Sequence, residues 1–256
     1  MTTTFFGPTS TVVPVVPNLK FGCTLSNDGV SPLTVLDVAI GTYTDITGSI
    51  YIPLTAPFTK SIAGPWLVGT GQPGMGAGVV ASPNEWLHVF SIASTAGTDI
   101  YFDTSTTAAN KPPGTTAEAY LGSFKLSAAS QIIPFTQNGQ QFLYNTPIND
   151  VVSFSTGTPT LVTLSTPLGL VTEPLIYGSS ITVQSSCAIW SPAQGAGYPA
   201  GSYPLFIGGS TSIGQWVPMP PAFATNKSSQ LYLEAFPGPI SITTVGYINP
   251  HVSATS

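Results

Sequence analysis

Two histidines occur in the 256-residue chain, and one of them, His88, lies in the run NEWLHVFS (Asn84–Ser91), three positions after an acid, Glu85. Hydrolases with a nucleophilic serine need a histidine base beside that serine, and an acid commonly orients the base. However, the chain contains no G-x-S-x-G nucleophile turn. His88 alternates with Trp86 and Phe90, as residues on one face of a strand do. We therefore interpret His88 as a packing residue of a sheet.

Four aspartates flank predicted strands, and paired carboxylates are the catalytic groups of most glycoside hydrolases. One pair flanks the run IYF and the other flanks VAIGTYT: Asp99 with Asp103, and Asp37 with Asp45. Among ten acidic residues such pairs arise by chance, and Asp99 also fits a turn. The two histidines and the distant Cys23 and Cys187 lack the spacing of a zinc site. The sequence therefore predicts no enzyme and no metal centre.

A glycine-rich run, GTGQPGMGAG, places Gly69, Gly71 and Gly74 in the spacing of a G-x-G-x-x-G dinucleotide loop. That loop binds a pyrophosphate only where it joins a strand to the N-terminus of a helix. Here Pro73 interrupts the run, and no helical periodicity follows it. We interpret the run as a surface or inter-subunit loop, and we predict no nucleotide cofactor.

The composition is poor in charge: charged residues make up 6% of the chain, against about a quarter in ordinary soluble domains. The chain has five basic residues, all lysines, so no basic stripe can follow a phosphate backbone and nucleic acid is excluded as a partner. Such a surface suits burial in subunit contacts. The start MTTTFFGPTSTVVPVVPNL lacks the basic region of a signal peptide, and no apolar run reaches the length of a membrane span.

Short runs rich in Val, Ile, Thr and aromatic residues recur along the chain, separated by clusters of Gly, Pro, Asn, Asp and Ser. These runs predict strands, and 26 glycines with 25 prolines leave little room for long helices. The turn signals NDG, STAGTD and NGQ predict hairpins. The run AEAYLGSFKLSAAS (117–130) fits helical spacing and strand alternation alike, and Gly122 with Ser123 favours a strand.

The predicted fold is all-β, an antiparallel β-sandwich of jelly-roll type, built as one large or two consecutive β-domains. Residues 1–18 are predicted to form an extended N-terminal arm, because Pro8, Pro14 and Pro17 favour polyproline II backbone. A β-sandwich domain is placed at 19–146. A second sandwich or jelly-roll domain is placed at 147–256. The same residues could equally form one continuous domain with the first.

Aromatic residues in Gly/Pro/Ser-rich stretches are the candidate contacts for a partner or a glycan, because they combine flat apolar area with a polar group. Four such residues lie in the second half: Trp190, Tyr198, Tyr203 and Trp216. The alternative is that these side chains pack loops onto the sandwich or seal subunit contacts. The sequence leaves both interpretations open.

Three runs resemble, in order, a family of bacteriophage virion proteins of tail-fibre, minor tail or head-fibre type. They are KFGCTLSNDGVSPLTVLDVAIG; WLHVFSIA and DIYFDTS followed by AYLGSFKLSAASQIIPFTQNGQQFLY; and FATNKSSQLYLEAF followed by ISITTVGYINP. The resemblance spans about residues 19–250 and consists of strands and turns rather than catalytic motifs. It implies an all-β virion module that forms a trimer.

On this basis we expect a structural component of a bacteriophage virion, a fibre, spike or decoration protein of head or tail. The expected partners are copies of the same chain, other virion proteins held through the N-terminal arm, and a glycan of the host surface. A virion location without a signal peptide fits release by host lysis, and no membrane insertion is expected. The alternatives are a glycan-binding adhesin module and, with less support, a virion-associated glycan hydrolase.

Overall fold

The computed structural model describes residues 19–45, 47–180, 186–197, 215–216, 223–236, 238–251 and 253–254. Within them the regular structure is β-strand, apart from one 3-10 turn at Pro192–Gln194. The all-β prediction is therefore confirmed. The arm predicted for residues 1–18 lies outside the described residues. None of the described segments forms a helix long and apolar enough to cross a membrane.

Eleven strands precede residue 140, and each is short, as the density of turn residues requires. In chain order they are β1 (Leu19–Gly22), β2 (Leu25–Asn27), β3 (Val35–Val38), β4 (Gly41–Thr44), β5 (Tyr51–Leu54), β6 (Phe58–Pro65), β7 (Gln72–Met75), β8 (Trp86–Ser94), β9 (Gly97–Asp103), β10 (Thr115–Lys125) and β11 (Phe135–Asn138).

The strands described after residue 140 include the longest one in the chain's described part. They are β12 (Gln141–Phe154), β13 (Thr160–Thr163), β14 (Glu173–Ser180), β15 (Ser186–Trp190), β16 (Gln215–Trp216), β17 (Gln230–Phe236), β18 (Ile240–Ile248) and β19 (Ser253–Ala254).

The described strands form three sheets. The largest is mixed and has the order β10-β8-β9-β7-β6-β3-β2-β11-β12-β18-β14-β16; a four-stranded sheet has the order β19-β1-β4-β5, and a three-stranded sheet has the order β13-β17-β15. Tyr43, Ile52 and Leu54 of the four-stranded sheet share one core with Leu36 and Phe102 of the large sheet. This face-to-face packing is sandwich architecture. The strand order does not establish the jelly-roll alternative.

Two main cores lie on either side of the predicted domain boundary. The first consists mostly of residues before 147, although Tyr247 of β18 joins it, and the second contains residues such as Trp190 and Leu233. Strand β12 nevertheless runs across positions 146 and 147 without interruption. Both halves also contribute strands to the large sheet. The division into two β-domains therefore stays a prediction.

Most local predictions are confirmed. The STAGTD turn joins β8 to β9, the NGQ turn joins β11 to β12, and the ambiguous run at 117–130 contributes strand β10. The glycine-rich run differs from the expected loop, because Gln72–Met75 forms a strand, β7. This strand pairs in parallel with β6 and with β9. Residues 69 and 71 do form the turn before it, where both glycines have positive φ.

Gly246 lies in β18 between β12 and β14, where a side chain has no room. A Cβ at this position would overlap the backbone carbonyl oxygen of Phe142 and lie 3.0 Å from Leu143 Cα. We expect Gly246→Ala to lower the free energy of unfolding by about 2 kcal/mol, because β12 and β18 must shift apart. Urea unfolding followed by tryptophan fluorescence measures this loss. Gly29→Ala is the control, since no atom lies within 4 Å of its added Cβ; equal midpoints for both variants would contradict the close pairing at Gly246.

Candidate interaction surface

The histidine singled out from the sequence does lie beside a serine, but inside the protein. His88 Nδ1 lies 2.7 Å from Ser123 Oγ, which is also 2.6 Å from the hydroxyl of Tyr120. Asn249 Nδ2 donates a hydrogen bond to the same hydroxyl at 2.7 Å. His88 is 1% exposed and Ser123 is fully buried, so no substrate can reach the pair. These four side chains form a buried polar network, as expected of a packing histidine.

The neighbouring acid, Glu85, closes the turn before β8. Its Oε2 accepts a hydrogen bond from the backbone N–H of Ser82 at 3.1 Å. The Glu85 carboxylate therefore binds the backbone of its own turn rather than the His88 ring.

Three of the four aspartates considered from the sequence are buried and already occupied by structural contacts. Asp99 forms an ion pair with Lys60, with Oδ1 and Nζ 2.9 Å apart. Asp103 Oδ1 accepts a hydrogen bond from Asn110 Nδ2 at 2.8 Å. Asp45 Oδ1 accepts hydrogen bonds from two backbone N–H groups of its own turn at 2.7 and 2.8 Å. All three carboxylates are therefore engaged in structural contacts inside the protein.

The fourth aspartate, Asp37, lies with Asp28 in an open cleft of about 540 Å³ that Phe58 also lines. Burial raises the pKa of Asp37, and the nearby Asp28 carboxylate raises it further. Asp28 Oδ1 is occupied, since it accepts hydrogen bonds from the backbone N–H groups of Val30 and Ser31 at 2.9 and 2.5 Å. The geometry therefore assigns Asp28 to its turn, whereas Asp37 Oδ1 is buried without a hydrogen-bond partner.

The described part of the chain holds no group of three His, Cys, Asp or Glu side chains that could bind a metal ion. Cys23 and Cys187 are free and buried, and they belong to different cores.

The loop aromatics predicted to contact a partner are only partly described. Trp190 ends β15 and is 1% exposed, with its indole stacked on Tyr232 at 5.5 Å and its Nε1 donating to Gly195 O at 3.0 Å. Of the two interpretations that the sequence leaves open, Trp190 therefore fits the packing one, because pairing of β15 with β17 turns its ring inward. Tyr198 and Tyr203 lie outside the described residues, as does the side chain of Trp216, whose backbone pairs with Tyr177.

A different pair of aromatics is exposed, on the outer side of the four-stranded sheet. Phe21 of β1 pairs with Thr42 of β4, which pairs with Pro53 of β5, and Tyr51 lies two residues from Pro53 on the same side. Phe21 is 64% exposed and Tyr51 is 55% exposed. We call the surface formed by Phe21, Thr42, Tyr51 and Pro53 the aromatic face.

Strand β1 is inverted in the placement of its side chains: its charged residue is buried and its aromatic residue is exposed. Phe21 points outward, whereas its neighbour Lys20 is buried and donates from Nζ to Leu121 O at 3.2 Å. Burial lowers the pKa of Lys20 to about 8, because the charged ammonium is removed from water. Burying a lysine and exposing a phenylalanine both cost free energy in an isolated subunit. The outer side of this sheet therefore resembles a surface that a partner covers.

No family model, no curated protein and no solved structure significantly matches this chain. Among the described surfaces, the aromatic face combines two exposed aromatic rings with a strand that buries a lysine, so it is the candidate surface for contact with a partner.

Proposed function

We propose that this protein is a structural subunit of a bacteriophage virion, a fibre, spike or decoration component that assembles into a homo-oligomer through its aromatic face. The inverted strand β1, with Lys20 buried and Phe21 exposed, is the observation that carries the proposal. The resemblance of the strand and turn motifs to phage virion proteins supplies the biological setting and the expectation of three copies. The N-terminal arm at residues 1–18 is proposed to bind neighbouring subunits.

The energy of such an assembly comes from apolar burial rather than from ion pairs. Covering a ring such as that of Phe21 or Tyr51 contributes about 2 kcal/mol. Charged residues are 6% of the chain, so few charges are present to form bonds between subunits. We therefore propose an assembly whose affinity depends weakly on salt.

We expect Phe21→Asp to raise the subunit dissociation constant roughly thirtyfold, about 2 kcal/mol, because it removes an apolar ring and buries a charge. Analytical ultracentrifugation across a concentration series measures the constant. Val30→Asp is the matched control, since Val30 is exposed in the turn between β2 and β3 and lies off the aromatic face. An unchanged oligomer in Phe21→Asp would rule out the aromatic face as the contact.

Labelling the protein on intact phage particles under the electron microscope tests the virion assignment itself. Label on head or tail at regular positions is expected. A full-length chain that stays monomeric and is absent from every particle would overturn the proposal.

A glycan-binding adhesin is the second candidate, because exposed aromatic rings on a flat sheet side also suit sugar rings. Particles that assemble normally with Tyr51→Ala but no longer adsorb to the host would favour this function. The hydrolase alternative has Asp37 as its available carboxylate. Turnover of host polysaccharide that stops in Asp37→Asn would favour that alternative.

A further inference from the structure

An apolar groove of about 440 Å³ runs along the end of β6, beside β7 and the loop that follows it. Residues 62–65, Met75 and residues 78–81 line it. Ile62, Met75 and Val79 form the floor and belong to the first core, whereas Val80 stands at the rim and is 69% exposed. We call this feature the β6–β7 groove.

The chemistry of the β6–β7 groove restricts what can bind there. Its lining consists of Ile, Ala, Gly, Pro, Met and Val, so no lining side chain carries a charge or a hydrogen-bonding group. An ion or a phosphate would find no counter-charge, and a sugar would find no side-chain partner for its hydroxyls. The groove fits an uncharged segment that presents aliphatic, aromatic or proline side chains.

Residues 1–18 of this chain have that composition. They contain no charged residue, and they carry Phe5, Phe6, the run VVPVVP (12–17) and a further proline at position 8. Proline-rich segments lose little conformational entropy when they bind apolar grooves, because their backbone is already extended. Eighteen residues can span about 60 Å in extended form, which is enough to reach across a subunit boundary.

We propose that residues 1–18 of a neighbouring copy of this chain dock in the β6–β7 groove. This inference rests on the proposed function, because it takes the aromatic face to be the subunit contact. Phe21 lies two residues after Leu19, so a segment that leaves the domain at Leu19 starts at that contact and next to the partner. The arm thereby links each subunit to the next through apolar contacts alone.

Photo-crosslinking of the full-length chain tests this docking. p-Benzoylphenylalanine replaces Phe6, light- and heavy-isotope chains are mixed, and the irradiated products are mapped by mass spectrometry. We expect light–heavy crosslinks to residues 62–81. Val80→Asp should lower their yield at least fivefold, and Val152→Asp, which is 68% exposed and far along the chain on β12, should leave it unchanged. Thermal unfolding of each variant confirms that the fold is retained.

The outcomes separate the docking from the proposed function. An intact oligomer whose crosslinks map elsewhere, or only within one chain, overturns the docking and leaves the proposed function in place. Crosslinks to the groove that are insensitive to Val80→Asp overturn the docking as well. A full-length chain that forms no oligomer and no light–heavy crosslinks overturns both.

Discussion

Replacing Asp99 with asparagine is expected to lower the free energy of unfolding by about 3–5 kcal/mol, because it leaves Lys60 as an uncompensated charge inside the protein. Both side chains are buried, and their charged atoms lie 2.9 Å apart. Asp99 also accepts hydrogen bonds from the backbone N–H groups of Gly69 and Ile100 at 2.7 and 2.6 Å. Burial lowers the pKa of Lys60, while Asp99 opposes that shift.

The surroundings of Lys60 leave its ammonium few other partners. Nζ donates to Leu67 O at 2.6 Å and lies 5.3 Å from the centre of the Trp66 ring and 5.6 Å from that of Phe58. One neutral carbonyl and two aromatic rings cannot replace a carboxylate. The loss should therefore be large in Asp99→Asn, although the asparagine keeps the shape of the side chain and one acceptor oxygen.

A double variant separates the ion pair from simple packing. In Lys60→Met with Asp99→Asn, the charge is gone and the methionine fills the space of the lysine stem. We expect this variant to recover more than half of the loss, measured by urea unfolding with coincident fluorescence and circular dichroism transitions. If the double variant is as unstable as Asp99→Asn alone, the loss comes from the Asp99 contacts and not from the stranded charge.

Secondary-structure elements that depend on residues close together in the sequence could be predicted. The hairpin of β8 and β9 and that of β11 and β12 each follow from two apolar runs with turn residues between them. Strand β7 was not predictable from its residues, because a run of glycine and proline has little strand propensity. It forms because β6 and β9, distant in sequence, offer backbone partners on both sides.

The direction of side chains was harder to predict than the strands themselves. In the run LKFG, alternation alone places Phe21 inward and Lys20 outward. The structure has the reverse, since pairing of β1 with β4 sets Lys20 opposite the buried Tyr43. Side-chain direction was also undetermined for Trp190, which lies in a loop-like stretch of sequence and is buried in the structure. The exposed rings of the aromatic face therefore depend on strand register, which a single sequence does not determine.

The buried polar pairs could not be predicted either, because the two residues of each pair are far apart in the sequence. Lys60 and Asp99 lie on β6 and β9, and His88 and Ser123 lie on β8 and β10. The alternation of Trp86, His88 and Phe90 correctly indicated packing. That alternation did not indicate that the residues on both faces of β8 are buried. They are buried because one hydrophobic core lies on each face of the strand.

His88 gives the stability of the protein a specific pH dependence. Burial lowers the pKa of His88 from 6.5 to about 4, and Asp103, its cross-strand neighbour on β9, only partly offsets this. Between these two pH values the unfolded chain binds a proton at His88 and the folded protein does not. Lowering the pH through this window is therefore expected to remove about 3 kcal/mol of stability, and nothing further is lost through His88 below it.

The variant His88→Phe isolates this contribution, because it keeps a ring in the core and removes the titrating group. Ser123 Oγ retains its hydrogen bond with the Tyr120 hydroxyl. Asp37 and Asp45 titrate in both proteins, so their effects cancel in the difference. We expect the wild-type protein to lose about 3 kcal/mol relative to His88→Phe between pH 6.5 and 4, measured by urea unfolding at each pH. A constant difference over that range would mean that His88 gains its proton freely, and the network around it would then have to be open to water.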